Sequence, residues 1–489
     1  MNVPSDATAG RAAFFKIFPT IALPVLLAMI DQSIVATALP NIAAHFGAVD
    51  QIALVVSAYL VCAAIAAPIA GALGDRMGRK ALLLWSLGLS MTGATIAGFA
   101  HSFEILILGR VFQGLAGGGM MTLSQALLGQ AVPARQRAQY QGFVAGLGMV
   151  AATTGPGLGG LLVQAFGWSW VFFVLIPFQL LGVLIGWRLQ DTSKRQNHGR
   201  FDWIGMVYLS LAIVTLLTAF SLVADAQAFA MPSAIGALIL GVIMIILLIR
   251  RQRRVPAPIL PMASLVKPAI WRICLTTLCH GATFVSLLTF IPLYLSVLRG
   301  MSPASVGLAM LPMTIGIGIG STLAGLFISR SGWLGPVPAL GLMIVFLNMS
   351  LFAVFAPSWT NLIILAMLGW NSLWLGTVMG SAHTISLLEA EPNELGAVAG
   401  AIQLARSVGA AIGASIIGLL LIASISLAGI GEPTLVLHQA FDEAARQSGA
   451  AGAAPIIEPY LAKVFLAIAA LAGVGSLIAW TNPRRRLEP

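Results

Sequence analysis

The chain is a succession of apolar runs of near membrane-spanning length, separated by short polar turns. Lipid offers the backbone no water, so a run of about 20 apolar residues reads as a helix that satisfies its own hydrogen bonds. Barrel strands would be about 10 residues of alternating apolar and polar positions, and the runs do not follow that pattern. About fourteen helical spans are predicted. The first six lie roughly at 17–41, 51–72, 81–100, 105–131, 139–165 and 169–188. Two more fall near 204–224 and 231–249, and the last six near 270–298, 304–328, 335–356, 361–388, 395–428 and 461–481.

Two linkers set the organisation. Residues 189–203 are polar and basic, and 250–268 are basic and then proline-rich. They bracket a two-helix insert between two six-helix halves. The expected division is residues 1–190, a linker with two additional spans at 191–268, and 269–489. A longer outer loop near 429–459 carries Glu432, Asp442, Glu443 and Glu458.

Composition narrows the class. Of the 489 residues 58% are hydrophobic and only 9% are charged, against about 25% charged in soluble proteins. The class is therefore an all-α polytopic membrane protein. Cys62, Cys274 and Cys279 all sit in apolar runs and make neither a disulfide framework nor a zinc spacing. Cys279 beside His280 reads as packing, and no metal or cofactor is expected. The first apolar run follows Arg11 and Lys16 and continues to about Pro40, too long for the apolar core of a cleavable signal.

The charge distribution sets orientation. With the N-terminus cytoplasmic, the inner segments hold 21 of the 26 lysines and arginines. The outer segments hold only Arg299, Arg446 and Lys463, while Arg110 and Arg406 fall inside spans. That asymmetry follows the positive-inside rule and places both termini in the cytoplasm. The net charge of +10 then faces the cytoplasm and anionic lipid headgroups rather than nucleic acid.

The stretch GALGDRMGRK, Gly71 to Lys80, organises the rest. Gly74 and Gly78 allow a tight turn and a close approach of helices. Asp75, Arg76, Arg79 and Lys80 put both signs of charge between one helix end and the next helix start, where an acid suits a helix N-terminus and cations suit a C-terminus.

Asp31 is the acid that lies within a span, about nine residues or about 14 Å before Pro40. A carboxylate at that depth is a functional candidate by default. Burial favours the protonated acid and a nearby cation favours the carboxylate, so a group balanced between them can exchange a proton near neutral pH. The alternative is a structural hydrogen bond to a neighbouring helix. Arg110 sits about 8 Å inward from the outer end of span 4, at comparable depth, and Asp31 is its best acidic partner. Gln113, three residues on, shares its helix face. Arg110 bonded only to backbone carbonyls is the competing reading.

Span 5 contains GPGLGG, with Gly155, Pro156, Gly159 and Gly160. Proline removes a backbone donor, and the glycines let a neighbouring helix come close. The stretch reads as a kinked, tightly packed helix and as a hinge or seal between halves. In the second half ionisable groups inside spans are few: His280, His383 and Arg406, with Gln403 three residues before Arg406, and His280, Gln403 and Arg406 join Gln113 as possible cavity residues. GLFISRSG at 325–332 looks like a decayed copy of the 71–80 turn, with Ser329 in the acid's place.

These strings carry a family resemblance. GALGDRMGRK resembles the loop between spans 2 and 3 of major facilitator superfamily transporters. IDQSIVATALPNIA at 30–43 resembles the first-span signature of the fourteen-span drug:proton antiporter branch, with Asp31 in the acidic position. LGRVFQG resembles the span 4 motif linked with proton coupling, with Arg110 in place. TTGPGLGG followed by GWSWVFFVLIP resembles the span 5 antiporter motif and the start of span 6, and LGAVAGAIQLARSVGAAIG at 395–413 resembles span 13 of that branch, with Arg406 in place. Leu175 and Ala151 stand where many relatives have Asn and Gly, and the 325–332 turn lacks its acid.

The resemblance implies two six-helix bundles around a central cavity open to one side at a time. Asp31 would carry the proton, Arg110 would tune it, and Asp75, Arg76 and Arg79 would latch the cytoplasmic side, with Asp75 near a helix start in the other half. The function expected is proton-coupled efflux of small amphipathic molecules from the inner membrane, by a monomer, with an outer-membrane export partner as a further candidate. One deep acid compensates one positive charge, so neutral or monocationic substrates are expected to be favoured over dications. The alternatives are an exporter of an endogenous metabolite or organic acid, with Arg406 or Arg110 meeting the anion, and a proton-coupled nutrient importer. The chain has no nucleophile–base set and no phosphate loop, so no enzyme is expected.

Overall fold

The structure is a computed structural model that describes residues 6–48, 51–188, 201–224, 232–255, 258–428 and 454–486. Most of the 189–203 linker and the acidic loop residues Glu432, Asp442 and Glu443 lie outside the described residues. Thirteen helices among the described residues are long and apolar enough to cross a membrane. A shorter apolar stretch, Trp203–Ala219, takes the place of the expected seventh span.

The first half runs α1 (Asp6–Phe46), α2 (Ala53–Met77), α3 (Arg79–Gly98), α4 (Phe103–Ala131), α5 (Ala134–Phe166), α6 (Trp170–Phe173) and α7 (Leu175–Trp187). The insert is α8 (Trp203–Ala224) and α9 (Pro232–Gln252), followed by the short α10 (Met262–Leu265). The second half runs α11 (Pro268–Val297), α12 (Pro303–Ala309), α13 (Leu311–Ser331), α14 (Pro336–Phe355), α15 (Asn361–Glu389), α16 (Leu395–Leu427) and α17 (Ala454–Trp480).

Two expected spans are broken, for one reason. Pro177 has no N–H to give the carbonyl of Phe173, and the sixth span divides at Val174 into α6 and α7. Pro312 does the same to Leu308, and the tenth span divides at Met310 into α12 and α13.

Each half has its own apolar interior. In the first, Ile21 and Val25 of α1 pack with Leu83 and Leu87 of α3 and with Met120 and Leu123 of α4. In the second, Ile291 and Leu295 of α11 meet Val345 and Met349 of α14 and Phe465 of α17. Large apolar side chains are also turned outward, among them Trp85 and Trp187, as lipid-facing positions require.

The halves meet along two seams, α2 against α16 and α5 against α13. On the first, a Cβ on Gly71 would strike the carbonyl of Gly396, so only glycine permits this crossing. On the second, Thr322 Oγ1 donates to the Gly142 carbonyl at 3.2 Å, and Gly318 abuts Met149. The insert does not stand apart. Helix α8 packs against both α2 and α16, with Leu209 and Ile213 set among Ala64, Ala72 and Ala397.

Candidate functional site

Asp31, Arg110 and Gln113 come together inside the first half. Arg110 Nη1 donates to Asp31 Oδ1 at 2.8 Å and to Gln113 Oε1 at 3.0 Å. Gln113 Nε2 donates to the same Asp31 oxygen at 3.2 Å. The i, i+3 spacing on α4 makes this possible, because it places both side chains on the face turned to α1. All three residues are buried.

Helix α2 completes the cluster. Arg110 Nε donates to the Val55 carbonyl at 3.1 Å, and its guanidinium lies 4.5 Å from the centre of the Tyr59 ring. The Tyr59 hydroxyl donates to the Ala28 carbonyl of α1 at 3.1 Å. Arg110 therefore has an acidic partner and a backbone carbonyl at once, which is not the reading in which it bonds backbone carbonyls alone. Tyr59 and Val55 are members that the sequence reading missed. A tyrosine in an apolar run carries a signal, but nothing in one sequence says which helix it meets.

The Asp31 charge is met by Arg110, the partner the sequence pointed to, so a substrate cation gains that carboxylate only if the pair opens.

The 71–80 turn builds a second assembly at one end of the molecule. Asp75 accepts from the backbone N–H of Gly396 at 3.0 Å and of Ala397 at 2.9 Å, at the first turn of α16. Helix starts leave such donors unpaired and carry partial positive charge. Arg79 Nη2 pairs with Asp75 at 2.7 Å and reaches the Pro392 carbonyl at 3.3 Å, while Nη1 donates to Gln130 Oε1 at 2.7 Å. Gly78, at φ +101°, forms the turn between α2 and α3.

Two residues of the turn point elsewhere. Lys80 Nζ donates to the Trp187 carbonyl at the end of α7, at 2.9 Å. Arg76 lies over the Phe201 ring at 5.4 Å, beside the insert.

The decayed turn at 325–332 has no equivalent acid, and Ser329 donates to the Leu326 carbonyl of its own helix at 2.9 Å. On that seam Arg137 does the bridging, with Nη1 donating to the Leu387 carbonyl at 3.0 Å. Leu387 is in the last turn of α15, where unpaired carbonyls attract a cation.

The GPGLGG glycines divide by face. A Cβ on Gly155 would meet the Ser33 hydroxyl, and one on Gly159 the Thr37 hydroxyl, both on α1. Gly160 faces open space, and Pro156 lies inside an unbroken α5.

In the second half, Gly281 of α11 abuts the Arg406 carbonyl of α16, which sets His280 beside that helix. Arg406 Nε donates to Gln403 Oε1 at 3.3 Å. Helices α11 and α15 hold buried polar atoms with no partner, among them Nδ1 of His280 and Oδ1 of Asn371. An unpaired buried polar atom costs about 1–3 kcal/mol. Gln113 lies in the first-half cluster, apart from these three.

The model of the Major Facilitator Superfamily matches residues 21–414. The chain belongs to this superfamily. It is 28% identical over 481 residues, 95% of this chain and 68% of the relative, to the uncharacterized MFS-type transporter Rv1877 of Mycobacterium tuberculosis. It is 26% identical over 414 residues to multidrug resistance protein 3 of Bacillus subtilis, covering 84% of this chain and 81% of that one. The structure of the proton:xylose symporter XylE superposes with a TM-score of 0.65 at 13% identity, over 98% of both chains, and supports the fold. This is therefore a multi-pass membrane transporter of small molecules, with the major facilitator fold, and not an enzyme.

Proposed function

We propose that this transporter exports amphipathic small molecules in exchange for protons, by alternating access. The observation that carries the reading is the buried Asp31–Arg110 pair with its Gln113 and Val55 partners. A carboxylate held by one guanidinium and one amide can take a proton when that grip opens. Helix α4 then gains freedom against α1 and α2. Relatives named as multidrug and efflux proteins support the direction of transport.

The lysine and arginine distribution orients the Asp75 end toward the cytoplasm, in the inner membrane, with both termini inside. In that frame the Asp75–α16 contact is a closed cytoplasmic latch. The two six-helix groups would move as bodies about the α2–α16 and α5–α13 seams. Neutral or monocationic molecules are favoured over dications, because opening the pair frees one carboxylate at most. The monomer suffices for this cycle, and any outer-membrane export partner would act after release.

Reconstituted liposomes test the reading. With a pH dye inside and an imposed proton gradient, substrate should accelerate proton movement in the wild type. Substrate flux that ignores the gradient would overturn the exchange.

A further inference from the structure

The interior of the second half holds a cation with no acid beside it. Arg406 makes no ion pair among the described residues, and its printed bond is to the neutral Gln403. Asp31 is taken by Arg110. The remaining second-half acids with described partners sit at helix ends: Glu389 meets Arg484 at 3.4 Å, and Glu394 accepts from Ser264. A guanidinium within a membrane span is stable only with compensation.

The neighbours of Arg406 are polar and incompletely bonded. Its charge acts on both His280 of α11 and His383 of α15. His280 meets the Leu375 carbonyl of α15, while its Nδ1 has no partner. Close by in sequence on the same two helices, the Thr283 hydroxyl, the Ser372 hydroxyl and Asn371 Oδ1 are also unpartnered. Each of these residues is at least nine-tenths buried. Buried polar atoms are normally bonded, so an orphaned group of them marks a place for water or ligand. Arg406 itself is only partly buried.

We propose that Arg406 binds the carboxylate of a zwitterionic or singly anionic amphipathic substrate, with the orphaned hydroxyls of α11 and α15 as further donors. His280 Nδ1 and Asn371 Oδ1 then accept from an N–H or O–H of the same molecule or of a bridging water. A planar guanidinium matches a carboxylate with two parallel hydrogen bonds, which a neutral ester does not reproduce. The assignment rests on the export reading above and adds a charge requirement to its substrate.

The test uses two dyes that differ at one group. Rhodamine 110 has a free carboxylate, and rhodamine 123 is its methyl ester. Binding is read by fluorescence anisotropy on the full chain in lipid nanodiscs. Arg406→Gln should raise the Kd of rhodamine 110 by about tenfold or more and leave rhodamine 123 within about twofold. Arg406→Lys keeps the charge but loses the two parallel hydrogen bonds, and should bind the acid more weakly than the wild type and more tightly than Arg406→Gln. In the wild type, benzoate should displace rhodamine 110 while benzamide does not, a result that needs no variant to fold. Equal effects on the two dyes, no binding of the acid by the wild type, or displacement by benzamide as well would overturn the assignment. Proton-driven flux of rhodamine 123 separates the two claims. If it persists while the dyes are not discriminated, the carboxylate site fails and the export reading stands.

Discussion

Asp75 on α2 holds the amino end of α16, accepting the backbone N–H of Ala397 at 2.9 Å across the boundary between the two halves. The Gly396 N–H joins it at 3.0 Å. The contact exists because Gly71 and Gly396 let the two backbones approach. A carboxylate in this place answers both the unpaired donors and the partial charge of a helix start.

Neutralising that acid should loosen the latch. Asp75→Asn keeps the shape but gives up the charge opposite α16 and Arg79, a loss of about 1–2 kcal/mol. The population closed at this end should fall about tenfold relative to the open one. Spin labels at Met77 and Glu391 report the distance across it. A distribution identical to that of the labelled wild type would remove the latch from the account.

The two glycine faces of α5 make separable predictions. Gly159→Ala places a methyl against the Thr37 hydroxyl and the Ile34 carbonyl. It should separate α5 from α1, lower thermal stability by about 1–3 kcal/mol and reduce transport. Gly160→Ala enters open space and should be neutral or slightly stabilising. Equal sensitivity at both positions would argue for a hinge rather than a packed face.

The buried ion pair should reveal itself in a double-mutant cycle. Asp31→Asn leaves the Arg110 charge without its counter-ion, and Arg110→Gln leaves Asp31 likewise. Each should lower unfolding stability by about 3–5 kcal/mol. The double variant should recover a large part of that loss, since it removes both charges. Purely additive losses in detergent thermal melts would mean that the two residues do not interact.

The insert is expected to matter for stability rather than merely to fill the linker. Asp202 is buried at the foot of α8, where it accepts from Arg251 at 2.6 Å, from Gln252 at 3.0 Å and from the Gly205 N–H at 3.0 Å. Gln252 in turn accepts from Leu260 N at 3.2 Å. Asp202→Ala should lower stability by about 1–3 kcal/mol. Deleting 201–255 should reduce transport, because α8 touches both α2 and α16. Wild-type transport by the deletion would make these helices no more than a spacer.

Much of the architecture was legible in the sequence because lipid forces long apolar runs into helices. Asp31, Arg110 and Gln113 were legible for the same reason, since charge within a span is rare and the i, i+3 spacing fixes a shared face. Asp75 at a helix start in the other half was implied by the family resemblance and agrees with the helix dipole. What stayed hidden depends on which helix faces which. Gln130 and the Pro392 carbonyl complete the Arg79 contact, yet nothing in their local sequence marks them. Arg137 read as one more cytoplasmic cation until Leu387 lay beside it. Arg76 lies over the Phe201 ring, and nothing in its local sequence marks the insert as its neighbour. The divisions at Val174 and Met310 lie beside Pro177 and Pro312, yet Pro156 and the three prolines of α1 sit inside continuous helices, so the sequence did not single these two out.

The central claim is that protons move through Asp31 in exchange for substrate. Everted membrane vesicles energised in the presence of a pH-sensitive dye test it most directly, with wild type and Asp31→Asn compared over lipophilic monocations, dications, neutral drugs and organic acids. The account predicts a compound that collapses the gradient with the wild type and not with the variant, although the variant still binds that compound. Equal collapse by both proteins, for a compound shown to be transported, would contradict it and make Asp31 a structural residue.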